Sequence, residues 1–522
     1  MDSQPEKVNI KKGFKALQLY WKKDLKAGFL VFLIALPLCL GIAEASSFPP
    51  AMGVITAIVG GLFSSFFNVS ELAIKGPAAG LITITAAAVF EFDAMGVNGW
   101  NAAAAVIVVM ALVQIVLGGL KLGDLSAFFP YAAVQGMLAA IGIIIVAKEI
   151  PVLLGVAPST YEGLNPLELI ASVPSFIQNS NWTIALIGAV SIAIMFLLPV
   201  LKGEKIKQFP APLFVLLITV PMALYYDFSS QQPDFALVHI GDFWGTVSVN
   251  ADFSFIGTFV FWKYVVMFTF VSSLESLLTV KAIDNLDPNH RVSNYNGDLI
   301  GQGIGNVFAG LLGGLPMISE VVRSSANIRN GAYSKWSNFF HGFFLLIAMT
   351  FMIPLVELIP NTALAAILIY AGYKLAAPQQ FVRLFRLGFD QFIIFLVTIF
   401  VTIWEDLLLG IAAGIFIKFL FHLYNGPSFK SLLKANFEIE ENGSKIQVLI
   451  KEAAVFTNLI PYKKRLDQLV KKGEMEILID FTHVKFVDHS FVSFIEAWCK
   501  NNQTYGDDRI KIIGLEKVSK NH

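Results

Sequence analysis

The sequence predicts a polytopic α-helical membrane protein of about 14 spans, built as two inverted halves of about seven, with a small cytoplasmic α/β domain at the C-terminal end. Three observations carry this. Only 15% of the 522 residues are charged and the mean hydropathy is +0.66, whereas a soluble domain carries about 25% charged residues to wet its surface. Basic residues alternate between successive loops. Short segments interrupted by Gly and Pro recur as the third span of each half, that is, as spans three and ten.

A bilayer core of about 30 Å needs roughly 20 apolar residues per helix. The first half offers segments 27–45, 51–68, 76–90, 101–119, 127–148, 182–200 and 211–227. The second offers 256–281, 298–312, 321–332, 336–356, 361–373, 389–404 and 405–423. The aromatic content, with 46 Phe, suits lipid-facing helices. Residues 1–26 form a polar, lysine-rich arm and do not read as a secretory signal.

Orientation follows from the positive-inside rule. The arm holds Lys7, Lys11, Lys12, Lys15, Lys22, Lys23 and Lys26, so it is expected in the cytoplasm. Alternate loops then hold Lys75; Lys121; Lys202, Lys205 and Lys207; Lys281 and Arg291; Arg329 and Lys335; and Lys374, Arg383 and Arg386. The opposite loops are acidic, with Glu91, Asp93, Glu162, Glu168, Asp234, Asp242, Asp252, Glu357, Glu405 and Asp406. An even count leaves both termini cytoplasmic. Lys75 is read as marking the cytoplasmic end of span three.

The third span of the first half contains Lys75-Gly76-Pro77-Ala78 and that of the second Gly313-Gly314-Leu315-Pro316 through Arg323. Each reads as a short extended piece followed by a short helix. Extended backbone at membrane depth must line a cavity or lie buried in protein. A half-helix beginning there aims free N–H groups and a positive dipole end at that cavity. Two such ends facing each other make an anion site. Pro77 suits a first helical turn, where its missing N–H is no loss. The competing reading, a plain kink at each Gly-Pro, has to recur at matching positions in both halves.

Charges within spans are costly and face a cavity or a partner. Arg323 starts the second half-helix and would offer its planar fork to an anion; the alternative is an ion pair with Glu320. Glu275 lies deep in the eighth span, with Thr279 one turn along on the same face. Together they would hold a cation such as Na⁺, or Glu275 would take up a proton; otherwise Glu275 pairs with Arg323 or a backbone donor. Ser272, Ser273 and Ser276 read mainly as helix-packing residues. Glu320 and Glu44 read as solvated. The segment Leu375–Leu387, with Arg383 and Arg386, reads as an interfacial amphipathic helix.

Beyond His422 the composition becomes that of a soluble domain. Residues 424–444 read as a linker, with the polar stretch 438–444 at its end. Strands are expected at Lys445–Ile450, Glu476–Phe481 and Arg509–Leu515, with an extra one at Ala453–Thr457. Helices are expected at Leu459–Lys472 and His489–Gln503, the second capped by Asp488. The domains expected are the arm 1–26, a transport region 27–423, the linker 424–444 and the α/β domain 445–522. The tail holds no Gly-rich phosphate loop, catalytic triad or metal-ligand spacing; no cofactor is expected and an enzyme is disfavoured. Its two cysteines, Cys39 and Cys499, argue against a disulfide framework. A net charge of +0 points to no nucleic-acid partner.

These residues together resemble the SulP family, the sulfate permease and solute-carrier anion transporter group. The opening span Asp24-Leu-Lys-Ala-Gly-Phe…Ala35-Leu-Pro37…Phe48-Pro-Pro50, Gly76-Pro77, Glu275 and the run Pro316–Asn327 carry the resemblance, and the tail resembles that family's STAS domain. The resemblance implies a core and a gate domain, a homodimer and an elevator-type movement. It implies a substrate pocket of Leu38, Ile42, Pro77, Ala78, Val322 and Arg323, with Glu275 and Thr279 for a coupling ion. Glu320 stands where small residues are common in the family, and Val321 and Val322 contribute only backbone donors. Leu38 replaces a polar residue of some relatives. Ser490 falls near the phosphorylated Ser of switch-type STAS domains, with a different neighbouring pattern.

The implied function is secondary transport of a small inorganic anion, sulfate or bicarbonate, coupled to Na⁺ or H⁺, across a bacterial inner membrane. The alternatives are a dicarboxylate or nucleobase carrier of the same architecture, an uncoupled anion channel, or a sensor that signals to a cytoplasmic partner through the STAS-like domain.

Overall fold

A computed structural model of the chain describes residues 13–67, 70–123, 130–200, 210–289, 291–405, 407–424, 431–432, 434–442, 445–470, 476–502 and 509–515. Two compact units result, Met1–Gly123 with Ile141–Ala376, and Asp124–Ala140 with Ala377–His522.

The expected spans are helices. In the first half they are α1 (Phe14–Ala45), α2 (Pro50–Leu62), α3 (Ile82–Ala94), α4 (Gly99–Gly119), α5 (Tyr131–Leu153), α6 (Trp182–Leu197) and α7 (Ala211–Tyr225). In the second they are α8 (Phe259–Leu286), α9 (Tyr295–Leu311), α10 (Val321–Arg329), α11 (Trp336–Phe351), α12 (Asn361–Leu375), α13 (Phe389–Trp404) and α14 (Leu407–Tyr424). Among the described residues, six helices are long and apolar enough to cross a membrane by themselves: Phe14–Ala45, Pro50–Phe67, Gly99–Gly119, Tyr131–Leu153, Phe259–Asp284 and Leu407–Tyr424. Pro37, Pro151 and Pro221 lie inside helices, which membrane helices tolerate because neighbours re-satisfy the freed backbone. Starts follow local chemistry. Pro50 opens α2, and Asn181, Thr258 and Asn294 cap α6, α8 and α9 through side-chain oxygens.

Two boundaries differ from expectation. Helix α1 begins at Phe14, so residues 14–26 of the arm are helical; Asp24 among them is buried and accepts hydrogen bonds from the backbone N–H groups of Tyr333 (2.7 Å) and Ser334 (3.1 Å). The segment 336–356 breaks after Phe351, just before the short turn Ile353–Val356 that Pro354 opens. The amphipathic segment forms a helix at Pro378–Leu387.

The extended pieces pair with each other. Strand β1 (Lys75–Pro77) runs antiparallel to β2 (Met317–Ser319), with Lys75 opposite Ser319, Gly76 opposite Ile318 and Pro77 opposite Met317. A 3₁₀ turn, Ala79–Leu81, leads from β1 into α3, and Val321 starts α10 just beyond β2. All six strand residues are buried.

The tail is a four-stranded sheet in the order β3-β4-β5-β6, with β3 (Phe437–Asn442) antiparallel to β4 (Lys445–Ala454) and β5 (Glu476–Val487) and β6 (Ile510–Ile513) parallel to it. Helices α15 (Leu459–Val470) and α16 (His489–Asn502) bury Leu459, Tyr462, Leu466, Phe491, Ile495 and Trp498 against Ile446, Val448, Ile450, Ile477 and Ile479. The stretch read as the end of the linker therefore holds a strand. Its alternation of Phe437 and Ile439 with Glu438 and Glu440 is a half-buried strand pattern that its charge disguised. The extra strand expected at Ala453–Thr457 is the end of β4 followed by a 3₁₀ turn, Phe456–Asn458.

Candidate functional site

The crossing of β1 and β2 puts polar backbone inside the first unit, where each group needs a partner. Side chains from five surrounding helices supply them. Asn306 of α9 brackets Met317, accepting from its N–H at 2.6 Å and donating to its carbonyl at 3.0 Å. Ser276 of α8 accepts from Ser319 N–H at 3.1 Å, and Ser324 of α10 accepts from Ile74 N–H at 2.9 Å. Asn338 of α11 accepts from Lys75 N–H at 3.1 Å, and Thr56 of α2 accepts from Leu315 N–H at 2.7 Å. Behind these, Gln114 of α4 donates to Ser272 and Ser273 at 3.0 and 3.2 Å, and Gln302 donates to Ser272 at 3.0 Å. The serines around Glu275 thus tie α8 to its neighbours, as the packing reading expected.

Arg323 sits in the first turn of α10 and is fully buried. Its Nη2 donates to Pro77 O at 2.7 Å and its Nη1 lies 3.4 Å from Cys39 Sγ. A Cβ at Gly76 would fall 2.3 Å from Nη1, so a side chain there would displace the guanidinium that lies across β1. Pro77 is consequently the last residue of β1 and not a first-turn residue of the helix; its carbonyl is what the site uses.

Glu320 is not free in solvent. It is the N-cap of α10, and its Oε2 accepts from Arg323 N–H at 2.9 Å while lying 3.7 Å from Arg323 Nε. Glu275 of α8 lies against the other half-helix. A Cβ at Gly80 would fall 2.3 Å from its Oε2. That oxygen is buried and meets no hydrogen-bond donor among the described residues.

Lys75 corrects a further expectation. It does not mark an exposed end: its side chain is fully buried and its Nζ lies 2.8 Å from Asp298 Oδ2 of α9. A lysine beside Gly-Pro satisfies the positive-inside pattern and a buried pair equally well, so the sequence could not separate them. Glu44, read as solvated, is exposed and also accepts from Asn361 Nδ2 at 2.7 Å.

The pocket residues expected from resemblance are distributed as follows. Pro77 and Arg323 touch. Leu38 and Ile42 are buried on α1 on either side of Cys39, which reaches Arg323. Ala78 is buried and donates its N–H to Pro316 O at 3.3 Å. Thr279 is buried one turn beyond Glu275, and Val322 is exposed at the start of α10. Sequence reasoning missed Cys39, Asp298, Asn306 and Asn338. The available signal was a polar side chain in an apolar span, as in the run Gln302–Asn306 of α9.

In the tail, Asp488 caps α16 as expected, accepting from Phe491 N–H at 2.7 Å, and also accepts from Phe456 N–H at 3.0 Å. Lys418 of α14 is buried with its Nζ 2.9 Å from Asp488 Oδ2 and donates to Ser490 Oγ at 2.9 Å. Burial opposes ionisation of Asp488, yet Lys418 and His422 outweigh it and hold the carboxyl below its ordinary range.

This geometry has relatives. The chain is 25% identical to the putative sulfate transporter YvdB of Bacillus subtilis, over 97% of this chain and 94% of that one. It is 26% identical to the bicarbonate transporter BicA of Picosynechococcus sp., over 76% of this chain and 69% of that one. Its fold matches the murine Slc26a9 anion transporter in the inward-facing state with a TM-score of 0.68, at 14% identity, over 98% of this chain and 90% of that one. The sequence model of the sulfate permease family matches residues 21–398, and the chain is therefore a multi-pass membrane protein belonging to that family.

Proposed function

We propose that this protein is a secondary carrier of a small inorganic anion, sulfate or bicarbonate, driven by Na⁺ or H⁺. The observation that carries the reading is the pattern of charge around the β1–β2 crossing. Arg323 faces Glu320 and Lys75 faces Asp298, while the buried Oε2 of Glu275 meets no donor among the described residues. An uncompensated carboxylate at that depth is costly. A Na⁺ held by Glu275 and Thr279, or a proton on Glu275, removes the cost and balances an anion entering beside it.

The anion would sit between the Ala79–Leu81 turn and the N-terminus of α10. Backbone N–H groups, Pro77, Ala78, Val322 and Arg323 would form its surroundings, with Leu38 and Ile42 closing the α1 side. Relatives named for sulfate and bicarbonate support this substrate class. The apolar Leu38, Ile42 and Ala78 offer no side-chain donors for the ring edges of a nucleobase. The further parts of the reading are an elevator-type movement of a core domain against a gate domain, a homodimer, an inner-membrane location and cytoplasmic termini. The region 27–423 would transport, and residues 445–522 would act as a STAS-like domain.

Uptake of labelled sulfate and bicarbonate into proteoliposomes, under imposed Na⁺ and pH gradients, tests the reading. Uptake of either anion driven by one of the gradients is expected, and Arg323→Ala abolishes it. Uptake indifferent to both gradients overturns the coupling, and undiminished uptake by Arg323→Ala overturns the site.

A further inference from the structure

The N-terminus of α10, where the anion is placed, already carries a carboxylate. Glu320 caps the helix, and its Oε2 accepts from Arg323 N–H at 2.9 Å. The same oxygen stands 3.7 Å from Arg323 Nε, a buried N–H with no hydrogen-bond acceptor among the described residues. The Glu320 side chain keeps about 14% of its surface accessible, and Val321 and Val322 beside it are each 44% exposed. The capping carboxylate is therefore partly accessible, on the donors an incoming anion needs.

We propose that Glu320 is a tethered competitor, a built-in anion that occupies the substrate position on α10 and must swing aside when the transported anion binds. The inference rests on the proposed anion transport and deepens it, because it assigns a residue that sets affinity and charge preference. A free helix N-terminus and an unsatisfied guanidinium N–H attract any anion. A carboxylate on a short tether satisfies part of that demand while the site waits. If it holds the position about 90% of the time, the apparent dissociation constant is about tenfold weaker than the intrinsic one. The displaced carboxylate remains nearby, and its repulsion scales with the charge on the ligand. Glu320 thus favours a monoanion over a dianion.

Two variants separate competition from helix capping. Glu320→Gln removes the charge and keeps an acceptor. Glu320→Ser removes the tethered anion and supplies a good N-cap, so α10 remains stable. Binding of sulfate and of bicarbonate to the full-length protein in detergent, and uptake KM in proteoliposomes, are measured for wild type and both variants. Both variants are expected to bind about tenfold more tightly, with sulfate gaining more than bicarbonate. Unchanged or weakened binding in a folded Glu320→Ser protein, with wild-type uptake intact, leaves Glu320 as a cap only and overturns this inference alone. Failure of wild type and both variants to take up either anion, with the fold intact, overturns the transport reading and this inference with it.

Discussion

Arg323 and Pro77 are 246 residues apart in the chain, yet the guanidinium of one donates to the carbonyl of the other at 2.7 Å. This contact joins the two interrupted spans at their crossing. It uses the residue that closes β1 and a residue in the first turn of α10, so any disturbance of the strand reaches the helix.

Gly76 bears directly on that contact. In Gly76→Ala the new methyl would fall 2.3 Å from Arg323 Nη1 and push the guanidinium off β1. Anion uptake is expected to fall at least about tenfold, equivalent to ~1.4 kcal/mol or more, with the protein still folded. The KM of sulfate and bicarbonate uptake, beside a thermal melt in detergent, checks this.

Coupling should reside in Glu275. Glu275→Gln keeps size and polarity but removes the charge that a Na⁺ or proton compensates. Residual anion movement is expected to lose its dependence on the Na⁺ and pH gradients. Gly80→Ala, which would place a methyl 2.3 Å from Glu275 Oε2, is expected to weaken the same dependence. Counterflow assays with and without gradients read both; retained coupling in Glu275→Gln counts against the role.

The buried Lys75–Asp298 pair should show the asymmetry typical of interior ion pairs. Removing one partner strands the other charge, so Lys75→Met alone is expected to cost about 3–5 kcal/mol. Replacing both, Lys75→Met with Asp298→Leu, is expected to recover most of that loss, since an apolar pair of similar volume needs no compensation. Thermal unfolding of the three proteins in detergent decides it. Equal damage in single and double variants would show that the pair contributes more than mutual neutralisation.

The junction of α14 with the tail should be acid-labile. The Asp488 carboxyl titrates below its unfolded value of about 3.9. Its contribution is therefore complete above that value and is lost as the pH falls through the lower, folded value. Protection of the Phe456 and Phe491 amides against exchange, relative to the intrinsic rate at each pH, should fall below about pH 4, because Asp488 accepts from both N–H groups, and should be lost at neutral pH in Asp488→Ala. Protection that stays constant across this window argues against Asp488 as the anchor.

Much of the architecture was legible because the bilayer imposes coarse rules on sequence. Long apolar runs marked α1, α4, α5 and α8, and the Gly-Pro elements at positions 76–77 and 313–316 marked the two interruptions. The misreadings have one cause. Phe14–Lys26, Phe437–Asn442 and Lys75 carry polar or charged residues whose composition suggests solvent, and each is held in place by partners that composition does not reveal. Asp24 meets Tyr333 and Ser334, β3 pairs with β4, and Lys75 meets Asp298.

The primary structure was enough for the class of the protein, the order of its apolar helices, the two interrupted segments and the candidates Arg323 and Glu275. These follow from local composition, which the lipid solvent reads directly. Which charges face each other emerges only in the folded chain. Arg323 lies with Pro77, Cys39 and Glu320, Lys75 lies with Asp298, and the buried Glu275 Oε2 faces no donor among the described residues. Partnership between buried charges depends on a few ångströms across the β1–β2 crossing, and that distance exists only once two halves of the chain have met.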